Sequence, residues 1–277
     1  MYSQDINRVK ASEVASTTIY DHFTSICDRY RHLRTTDYDP IAYIARELSG
    51  LDIVEAADVG CGDGRYDLPL FHHLGDKLRL SCVDSNDGML EASDTYLREN
   101  NISNFVTVNS GAEILPFPDG TLDCVLTMNA VHHFNLPNFL LKSARTLKSD
   151  GYLFIYTRLR EQNKRHIWGL HFPNFHQKER RLYNLNTFMQ FVEAAPAIWV
   201  ESIRFFKYRR VATIEKLIEL ARARHYSTFV LYSSAELEKA ITSFVKNLER
   251  NFKDTQQVAW FDEYALLTIR KDERRQA

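Results

Sequence analysis

The stretch EAADVGCGDGRYDLPL, residues 55–70, places three glycines within five positions directly after an apolar run. The whole chain has only 10 glycines, so this cluster needs a local explanation. Glycine adopts backbone angles that other residues resist, and its missing side chain lets a ligand approach the main chain. A helix that follows such a bend presents free N–H groups and a partial positive charge. The stretch therefore predicts a strand, a tight bend and a helix that suit a nucleotide-like ligand.

On both sides of this bend, short apolar segments alternate with helix-like segments. Composition rich in β-branched and aromatic residues predicts five strands: 53–60, 77–84, 105–110, 122–129 and 151–157. Apolar residues at helical spacing predict three helices: 65–75, 87–100 and 136–151. We expect Asp87 and Asn135 to cap the last two and Gly151 to follow the third. This alternation predicts an α/β fold with a mostly parallel sheet and helices on both faces.

The second half of the chain has no glycine after residue 169 and is mostly helical by pattern. Three helices are predicted: 183–195, 213–225 and 234–252. Ser233 or Ser234 begins the last one with a plausible capping arrangement. Two further strands flank this helical material: 197–211 and 256–271. A length of 277 residues with 44% hydrophobic residues favours one large domain, or one domain with an inserted cap.

Composition narrows the function classes. A net charge of -1 argues against bulk attraction to nucleic acid. Segment 158–210, however, carries 11 Lys and Arg against 4 Glu, which indicates either a solvated face or an anion-binding surface. The 4 cysteines are far apart and predict reduced thiols, with no zinc cluster or other metal site. The absence of a long apolar stretch or signal-peptide core predicts a cytoplasmic protein without membrane insertion.

Asp84 strengthens the interpretation of the glycine bend. It ends a predicted strand about 20 residues after Gly64, where a carboxylate can accept hydrogen bonds from both ribose hydroxyls. The alternative is an ordinary turn residue at a strand end. With the bend upstream, we favour the ribose-binding role.

Four motifs in this order resemble those of class I S-adenosylmethionine-dependent methyltransferases: AADVGCGDG (56–64), LSCVDSNDGML (80–90), SGAEILPFPDGTLDCVLTMNAVHHF (110–134) and LLKSARTLKSDGYLFIYT (140–157). The resemblance is to the type 11-like branch that includes the ubiquinone and menaquinone C-methyltransferases, and it covers roughly residues 20–160. It implies a Rossmann-like seven-stranded sheet with the last strand antiparallel, and a helical cap between strands six and seven. It also implies four segments: N-terminal helices over the donor site (1–50), the donor-binding core (51–160), acceptor-side insertions with strand six and the cap (161–257), and the last strand and tail (258–277).

The resemblance assigns donor-binding residues by position. Those expected along the methionine part of S-adenosyl-L-methionine are Asp58, Gly60, Gly62 and Gly64. Asp84 would hold the ribose with Ser85 beside it, and Asn129 would face the sulfonium. Met89 would pack on the adenine, although an ordinary core methionine is the alternative.

Further donor contacts carry a departure from the family. Ala112 and Glu113 match the end of the family's Asp-Ala-Glu motif at the adenine edge, but Gly111 replaces the Asp. Recognition there must use backbone atoms or Ser110. In the N-terminal helices, Tyr30 and Arg34 would cover the donor and contact its carboxylate, ahead of Tyr20 and Arg31. A packed helix edge is the alternative for these aromatic residues.

The family reaction is a direct, metal-independent displacement, which needs a base only when the acceptor must lose a proton. His132 and His133 are the catalytic candidates, because a histidine near its ordinary pKa accepts protons at neutral pH. One of them is equally suited to shaping the loop. Candidates for acceptor binding are Arg158, His225 and Tyr226, with packing as the alternative.

The sequence therefore predicts a methyltransferase that acts on a small molecule and releases S-adenosyl-L-homocysteine. Two alternatives remain open: a methyltransferase for the wobble uridine of transfer RNA, and a non-catalytic donor-binding regulator. Nicotinamide dehydrogenases space their third glycine differently and lack the segment AEILPFPDGTLD. The acceptor and homodimer formation are left open.

Overall fold

The computed structural model describes residues 19–272. Its seven strands are β1 (Val54–Val59), β2 (Leu78–Asp84), β3 (Phe105–Asn109), β4 (Leu122–Met128), β5 (Leu147–Thr157), β6 (Ile198–Ala212) and β7 (Val258–Lys271). They form one sheet in the order β3-β2-β1-β4-β5-β7-β6. β1 to β5 run parallel to one another, and β7 is antiparallel to both β5 and β6. This confirms the predicted fold class.

The helices of the first half of the chain either pack on the two faces of the sheet or come before β1 in the sequence. They are α1 (residues 19–26), α2 (Tyr30–Leu33), α3 (Asp39–Leu48), α4 (Asp67–Leu74), α5 (Asp87–Glu99) and α6 (Leu136–Thr146). Those of the second half are α7 (Arg160–Arg165), α8 (Ile167–His171), α9 (Phe175–Lys178), α10 (Leu185–Ala194), α11 (Ile214–Arg222) and α12 (Ser234–Asn251). Short 3₁₀ turns lie at Cys27–Arg29, Gly75–Lys77, Val131–His133 and Ser227–Leu231.

The core lies on both faces of the sheet because the central strands are apolar at nearly every position. On one face, Leu126 and Phe154 pack with α3, α4 and α5. On the other, Val125 and Ile155 pack with α6 and α10. Strand order reverses between β1 and β4, which both neighbour the sheet centre, and in such sheets ligands bind outside the carboxyl ends at this switch point.

A third apolar cluster forms the cap, which comprises α8, α9, α11, the 3₁₀ turn Ser227–Leu231 and α12. Trp168 lies at its centre and is 1% exposed. Its ring stacks on Phe244 at 4.9 Å between centroids and meets Phe229 edge-on at 5.1 Å. The cap therefore has an aromatic core of its own, which fixes it as a rigid wall beside the sheet.

Local capping differs from expectation in two places. Asn86, and not Asp87, caps α5, because the Asn86 side chain accepts a hydrogen bond from the Met89 backbone N–H. α6 ends at Thr146 and the chain enters β5 directly, so Gly151 lies within a strand. Asn135 caps α6 as predicted, and Ser233 forms a reciprocal capping box with Glu236.

Two broader expectations bear on the whole chain. The four-segment division stays a prediction, and residues 1–18 and 273–277 of its first and last segments lie outside the described residues. Within residues 19–272, no helix is both long and apolar enough to cross a bilayer. The cysteines are free thiols.

Candidate active site

A cavity of about 650 Å³ lies at the carboxyl edge of the sheet. The loops after β1, β2 and β4 form its floor, the N-terminal helices cover one side, and the cap closes the other. One end of the cavity is therefore built from strand-end loops and the other from the second half of the chain. We call these the donor end and the acceptor end.

The glycine bend forms the wall of the donor end. Gly60, Gly62 and Gly64 all have positive φ, at +74°, +58° and +74°. A Cβ at Gly60 would lie 2.5 Å from the Cβ of Ala130, and one at Gly64 would lie 2.7 Å from Oγ of Ser93. At Gly62 the nearest atom would be Cε1 of Tyr30 at 3.9 Å. Gly60 and Gly64 therefore allow the bend to pack closely against Ala130 and Ser93, and Gly62 leaves room for a ligand.

Asp84 joins this bend to the end of β2. Its Oδ2 accepts a hydrogen bond from the Gly62 N–H at 3.0 Å, and its Oδ1 accepts one from the Asn86 N–H at 2.9 Å. Burial raises the pKa of Asp84, while the two N–H groups oppose that shift. The carboxyl group lines the cavity and keeps lone pairs available for ligand hydroxyls.

Most predicted donor residues line the cavity: Tyr30, Arg34, Gly60, Gly62, Asp84, Ser85, Met89, Ala112, Glu113 and Asn129. Asp58 and Gly64 are not among the residues that line it, and their role in donor binding stays a prediction. Gly64 turns toward Ser93, and Asp58 is buried beneath the bend at 1% exposure. Both support the bend from behind.

Asp58 forms a buried acid pair with Asp67, a residue that the sequence analysis did not single out. Burial and the neighbouring Asp67 raise the pKa of Asp58 well above its usual range. Burial also raises the pKa of Asp67 to about 6, although Asp58 and the Cys82 thiol donate toward its carboxyl group. At neutral pH the pair therefore retains a proton under the donor end.

The predicted adenine edge lacks a side-chain acceptor at Gly111, as the sequence indicates. Glu113 is committed elsewhere, because its Oε1 accepts a hydrogen bond from the Asn135 N–H at 2.7 Å. Met89 and Ala112 supply apolar surface, and Ser110 also lines the cavity. Backbone atoms and Ser110 are thus the polar groups at this edge, beside the Glu113 carboxylate.

Tyr30 and Arg34 reach the cavity from the N-terminal helices, as expected. Arg34 donates to the carbonyl oxygen of His225 at 3.1 Å, and its guanidinium carbon lies 4.3 Å from the centre of the Tyr226 ring. It therefore links these helices to the cap. Arg31 instead donates to the carbonyl oxygen of Asp63 at 3.0 Å and does not line the cavity.

His132 and His133 both line the cavity in the turn after β4, with ring centroids 4.1 Å apart. Burial lowers the pKa of His132 well below 6.5, and the charges of Arg181, Arg34 and Arg158 add to the shift. Burial and His132 lower the pKa of His133 similarly. The premise of an ordinary pKa is therefore wrong for both, since each imidazole is neutral and weakly basic at neutral pH. Their role as bases stays a prediction.

The predicted acceptor residues Arg158, His225 and Tyr226 meet at the acceptor end. Nη2 of Arg158 donates to the Tyr264 hydroxyl at 2.8 Å and lies 3.4 Å from Oδ1 of Asp262. Burial alone would raise the pKa of Asp262, but the contacts with His166, Arg158 and Arg210 hold it well below its usual range.

His225 is largely structural. Its Nδ1 lies 3.0 Å from the carbonyl oxygen of Leu220, and its ring packs on Trp168 at 5.2 Å between centroids. Burial lowers its pKa well below 6.5. The imidazole therefore anchors the cap wall while one side of it faces the cavity.

A second ion pair at the acceptor end was missed by the sequence analysis. Nε of Arg181 donates to Oε1 of Glu179 at 2.8 Å, and Nη2 donates to the Ser227 hydroxyl at 3.1 Å. Thr228 donates to Oε2 of Glu179 at 2.6 Å. The charge excess of segment 158–210 was the only signal for this pair.

That basic segment is neither a uniform solvated face nor a continuous anion-binding surface. Arg160 donates to the carbonyl oxygens of Leu182 and Arg180, and Arg210 contacts Asp37 and Asp262. Arg210 is thus neutralised inside the chain, whereas Arg160 keeps its charge, and Arg180, Arg204 and Arg209 are exposed without an ion pair among residues 19–272. Within residues 19–272, no three His, Cys, Asp or Glu side chains are grouped as metal ligands.

The sheet order, the switch-point cavity and the glycine bend define a Rossmann-like fold with a site for a nucleotide-like ligand. Comparison with known proteins gives the family. Residues 57–155 match the family model described as a methyltransferase domain. This match agrees with the resemblance to class I S-adenosylmethionine-dependent methyltransferases that the motifs carry.

Similar proteins support this assignment over different lengths. The ubiquinone/menaquinone biosynthesis C-methyltransferase UbiE of Shewanella sp. (strain W3-18-1) is 29% identical over 137 residues, which are 49% of this chain and 49% of that protein. The chain thus spans about half the length of the curated relatives it matches.

Solved structures share the fold over more of the chain. The YcgJ protein from Bacillus subtilis has a TM-score of 0.62 at 18% identity, over 86% of this chain and 100% of that one. Geranyl diphosphate C-methyltransferase from Streptomyces coelicolor A3(2), crystallised with S-adenosyl-L-homocysteine, has a TM-score of 0.52 at 15% identity, over 83% and 76%. At these identities the likeness concerns the fold.

Proposed function

We propose that the protein transfers the methyl group of S-adenosyl-L-methionine to a small-molecule acceptor and releases S-adenosyl-L-homocysteine. The observation that carries the proposal is the juxtaposition of Gly62 and Asp84 at an open cavity. The amide of Gly62 and the carboxyl of Asp84 are hydrogen-bonded at 3.0 Å, and the space in front of Gly62 is free. The cavity then continues to an acceptor end closed by the cap.

The residues at the donor end fit the proposed donor. Asp84 would accept hydrogen bonds from its ribose hydroxyls, and Met89 with Ala112 would pack on its adenine. Arg34 would pair with its carboxylate beside Tyr30. A side chain in place of Gly62 would occupy the same space, so a glycine suits a close approach of the ligand to the main chain.

S-adenosyl-L-methionine supplies a methyl group that is already activated by a sulfonium. The chain therefore needs chiefly to hold two reactants in line and to exclude water, an effect that contributes about 7–11 kcal/mol in well-oriented systems. Asn129 marks the junction of the two ends. Its N–H donates to the Tyr156 carbonyl at 2.7 Å, and its Nδ2 donates to the Tyr66 hydroxyl at 3.1 Å, which holds it at a φ of +61°.

A small molecule suits the acceptor end better than nucleic acid. The cap and the N-terminal helices meet over the cavity through Arg34 and His225, and this contact leaves a chamber between them. Two arginines of the basic segment, Arg181 and Arg210, are paired inside the chain and are not free to contact phosphates. Homodimer formation stays open, as in the sequence analysis.

Donor binding tests this function directly. Titration calorimetry with S-adenosyl-L-homocysteine should show binding to the wild type and a loss of at least about 100-fold in Asp84→Ala, because two buried acceptor atoms for the ribose disappear. Asp94→Ala is the matched control, since Asp94 lies on the outer side of α5 in an exposed ion pair with Arg98. Equal affinities of the wild type and Asp84→Ala would refute the proposed donor site.

Turnover separates this function from a non-catalytic regulator. We expect the wild type to transfer tritium-labelled methyl from the donor to an acceptor of the class argued below. Donor binding without any transfer would favour the regulator.

A further inference from the structure

Two buried polar atoms at the acceptor end have no hydrogen-bond partner among residues 19–272. They are Nε of Arg158 and Nδ1 of His132, and both side chains line the cavity. Arg158 is 7% exposed. Because an arginine Nε can only donate, the partner missing at Arg158 is an acceptor atom. Buried polar groups are nearly always paired, so Nε of Arg158 points to a ligand that brings an acceptor, while Nδ1 of the neutral His132 donates or accepts according to its tautomer.

Positive charge also dominates this end. Arg34, Arg158 and Arg181 all act on the His132 imidazole. Arg181 is neutralised by Glu179. Arg34 contacts the His225 carbonyl and the Tyr226 ring and is the residue assigned above to the donor carboxylate, so the cation left for an acceptor is Arg158.

Among residues 19–272, the carboxylate that pairs with Arg158 is that of Asp262, and it is shared. Asp262 contacts Arg158, Arg210 and His166 together, and Arg210 also contacts Asp37. The guanidinium of Arg158 is therefore only partly compensated. A bound sulfonium donor would add positive charge beside it, so an anionic acceptor completes the balance of charge.

Among residues 19–272, the side chains at the acceptor end include no strong proton acceptor. The pKa values of His132 and His133 are lowered by burial and nearby cations. Burial raises the pKa of Glu179, but Arg181 and Thr228 outweigh it and hold that carboxyl ionised and paired. Burial raises the pKa of the Tyr264 hydroxyl, which already accepts a hydrogen bond from Arg158. A nucleophile that must first lose a proton would find no strong base here, whereas a carboxylate is already ionised at neutral pH.

We propose that the acceptor is a small organic acid whose carboxylate is held by Arg158 and is methylated on oxygen to give a methyl ester. This rests on the proposed function and names its substrate class. A lone pair of one carboxylate oxygen forms the new oxygen–carbon bond as the sulfur–methyl bond breaks. The bonding pair stays on sulfur, so the sulfonium becomes a neutral thioether and the carboxylate a neutral ester. No proton is released, and no base is required.

The aromatic walls fit the remainder of such an acid. Phe23, Phe175, Tyr226 and Tyr264 line the cavity, and the guanidinium of Arg158 lies against the rings of Tyr226 and Tyr264. Planar or apolar groups pack well against such rings. Benzoate, cinnamate and hexanoate are therefore suitable probes, each paired with its amide, which has a similar shape without the charge.

The first experiment uses the wild type saturated with S-adenosyl-L-homocysteine, and calorimetry measures the binding of each acid and its amide. We expect at least one acid to bind about tenfold or more tightly than its amide, the effect of a hydrogen bond to a charged group. Equal binding within every pair, or no binding of any acid at millimolar concentration, overturns the proposal. If S-adenosyl-L-homocysteine itself does not bind, the proposed function fails, and this proposal fails with it.

The second experiment assigns the preference to Arg158. Arg158→Gln should remove the preference for the acid over the amide, whereas Arg165→Gln should keep it. Arg165 is a matched control because it lies in the same basic segment, is exposed and pairs with Glu263. An unchanged preference in a folded Arg158→Gln overturns the assignment, and the wild-type comparison stands even where that variant does not fold.

The third experiment reads the product. With donor carrying tritium-labelled methyl, alkali should release the label as volatile methanol, because methyl esters hydrolyse in base. Label that alkali does not release shows transfer to carbon, nitrogen or another stable position and overturns the ester assignment.

Discussion

Buried carboxyl groups lie at both ends of the cavity, and the two ends hold them in opposite ways. At the donor end, Asp58 and Asp67 form no ion pair within residues 19–272, and burial raises both pKa values. At the acceptor end, Asp262 and Glu179 contact arginines, and their pKa values are lowered despite burial. The carboxyl pair at the donor end therefore retains a proton, whereas the carboxylates at the acceptor end are ionised and paired with arginines.

The difference follows from how each end is assembled. The donor end uses main-chain groups, such as the Gly62 amide held by Asp84, although Asp63 of the bend is buried in an ion pair with Arg31. The acceptor end uses side chains from distant segments, and each long charged group needs a partner when it is buried. The donor end thus depends on backbone shape, whereas the acceptor end depends on ion pairs.

Backbone shape predicts the largest effect on stability. Gly60→Ala should lower the free energy of unfolding by roughly 2–5 kcal/mol, since a positive φ and a contact at 2.5 Å both oppose the new methyl. Gly62→Ala should cost only about 1–2 kcal/mol, because its φ is positive but the space is open. Urea denaturation measures both, with Gly50→Ala as control, where a Cβ meets nothing within 4 Å.

The affinity for S-adenosyl-L-homocysteine further distinguishes the Gly62 position from the Gly60 position. Gly62→Ala should weaken binding of S-adenosyl-L-homocysteine more than its small stability loss suggests, because its methyl enters the cavity. Equal stability losses in the Gly60 and Gly62 variants would contradict the account of the bend.

The opposite pKa shifts predict a smaller effect that depends on pH. The native pKa of Asp67, about 6, lies above its usual 3.8, so the folded state binds the proton more tightly. Stability due to this group is full at low pH and falls by about 3 kcal/mol as pH rises from about 4 to 6. Glu179 has the opposite effect on stability, because its native pKa lies below its usual 4.5. Its contribution is full above about pH 4.5 and is lost as the pH falls below that value.

Two variants test the direction of these two pH effects by urea denaturation between about pH 3 and pH 7. Relative to wild type, Asp67→Asn should become more stable as pH rises, and Glu179→Gln should become less stable. Parallel pH curves for the wild type and both variants would show that the two ends do not differ in this way.

The donor end was accessible from the sequence because its parts are close along the chain. The three glycines lie within five residues, and Asp84 follows Gly62 by 22 positions at the end of the next strand. The alternation of strands and helices gave the parallel sheet, while the antiparallel β7 came from the family resemblance. The cap of α5 was misplaced by one residue because Asn86 and Asp87 are both good N-cap residues.

The acceptor end was only partly accessible for the opposite reason. Arg158 and Tyr264 are 106 positions apart, and Arg210 and Asp37 are 173 apart. No local pattern pairs such residues, so Glu179, Arg181 and Tyr264 were missed. The lowered pKa of His132 was equally hidden, because it depends on burial and on three arginines from separate elements.

A crystal structure with S-adenosyl-L-homocysteine tests the central claim most directly, namely that the bend and Asp84 form the donor site. The account predicts ribose hydroxyls within hydrogen-bonding distance of the Asp84 carboxylate, and the ligand main axis passing in front of Gly62. Ligand bound elsewhere with the space at Gly62 closed, or a ribose turned away from Asp84, would contradict it.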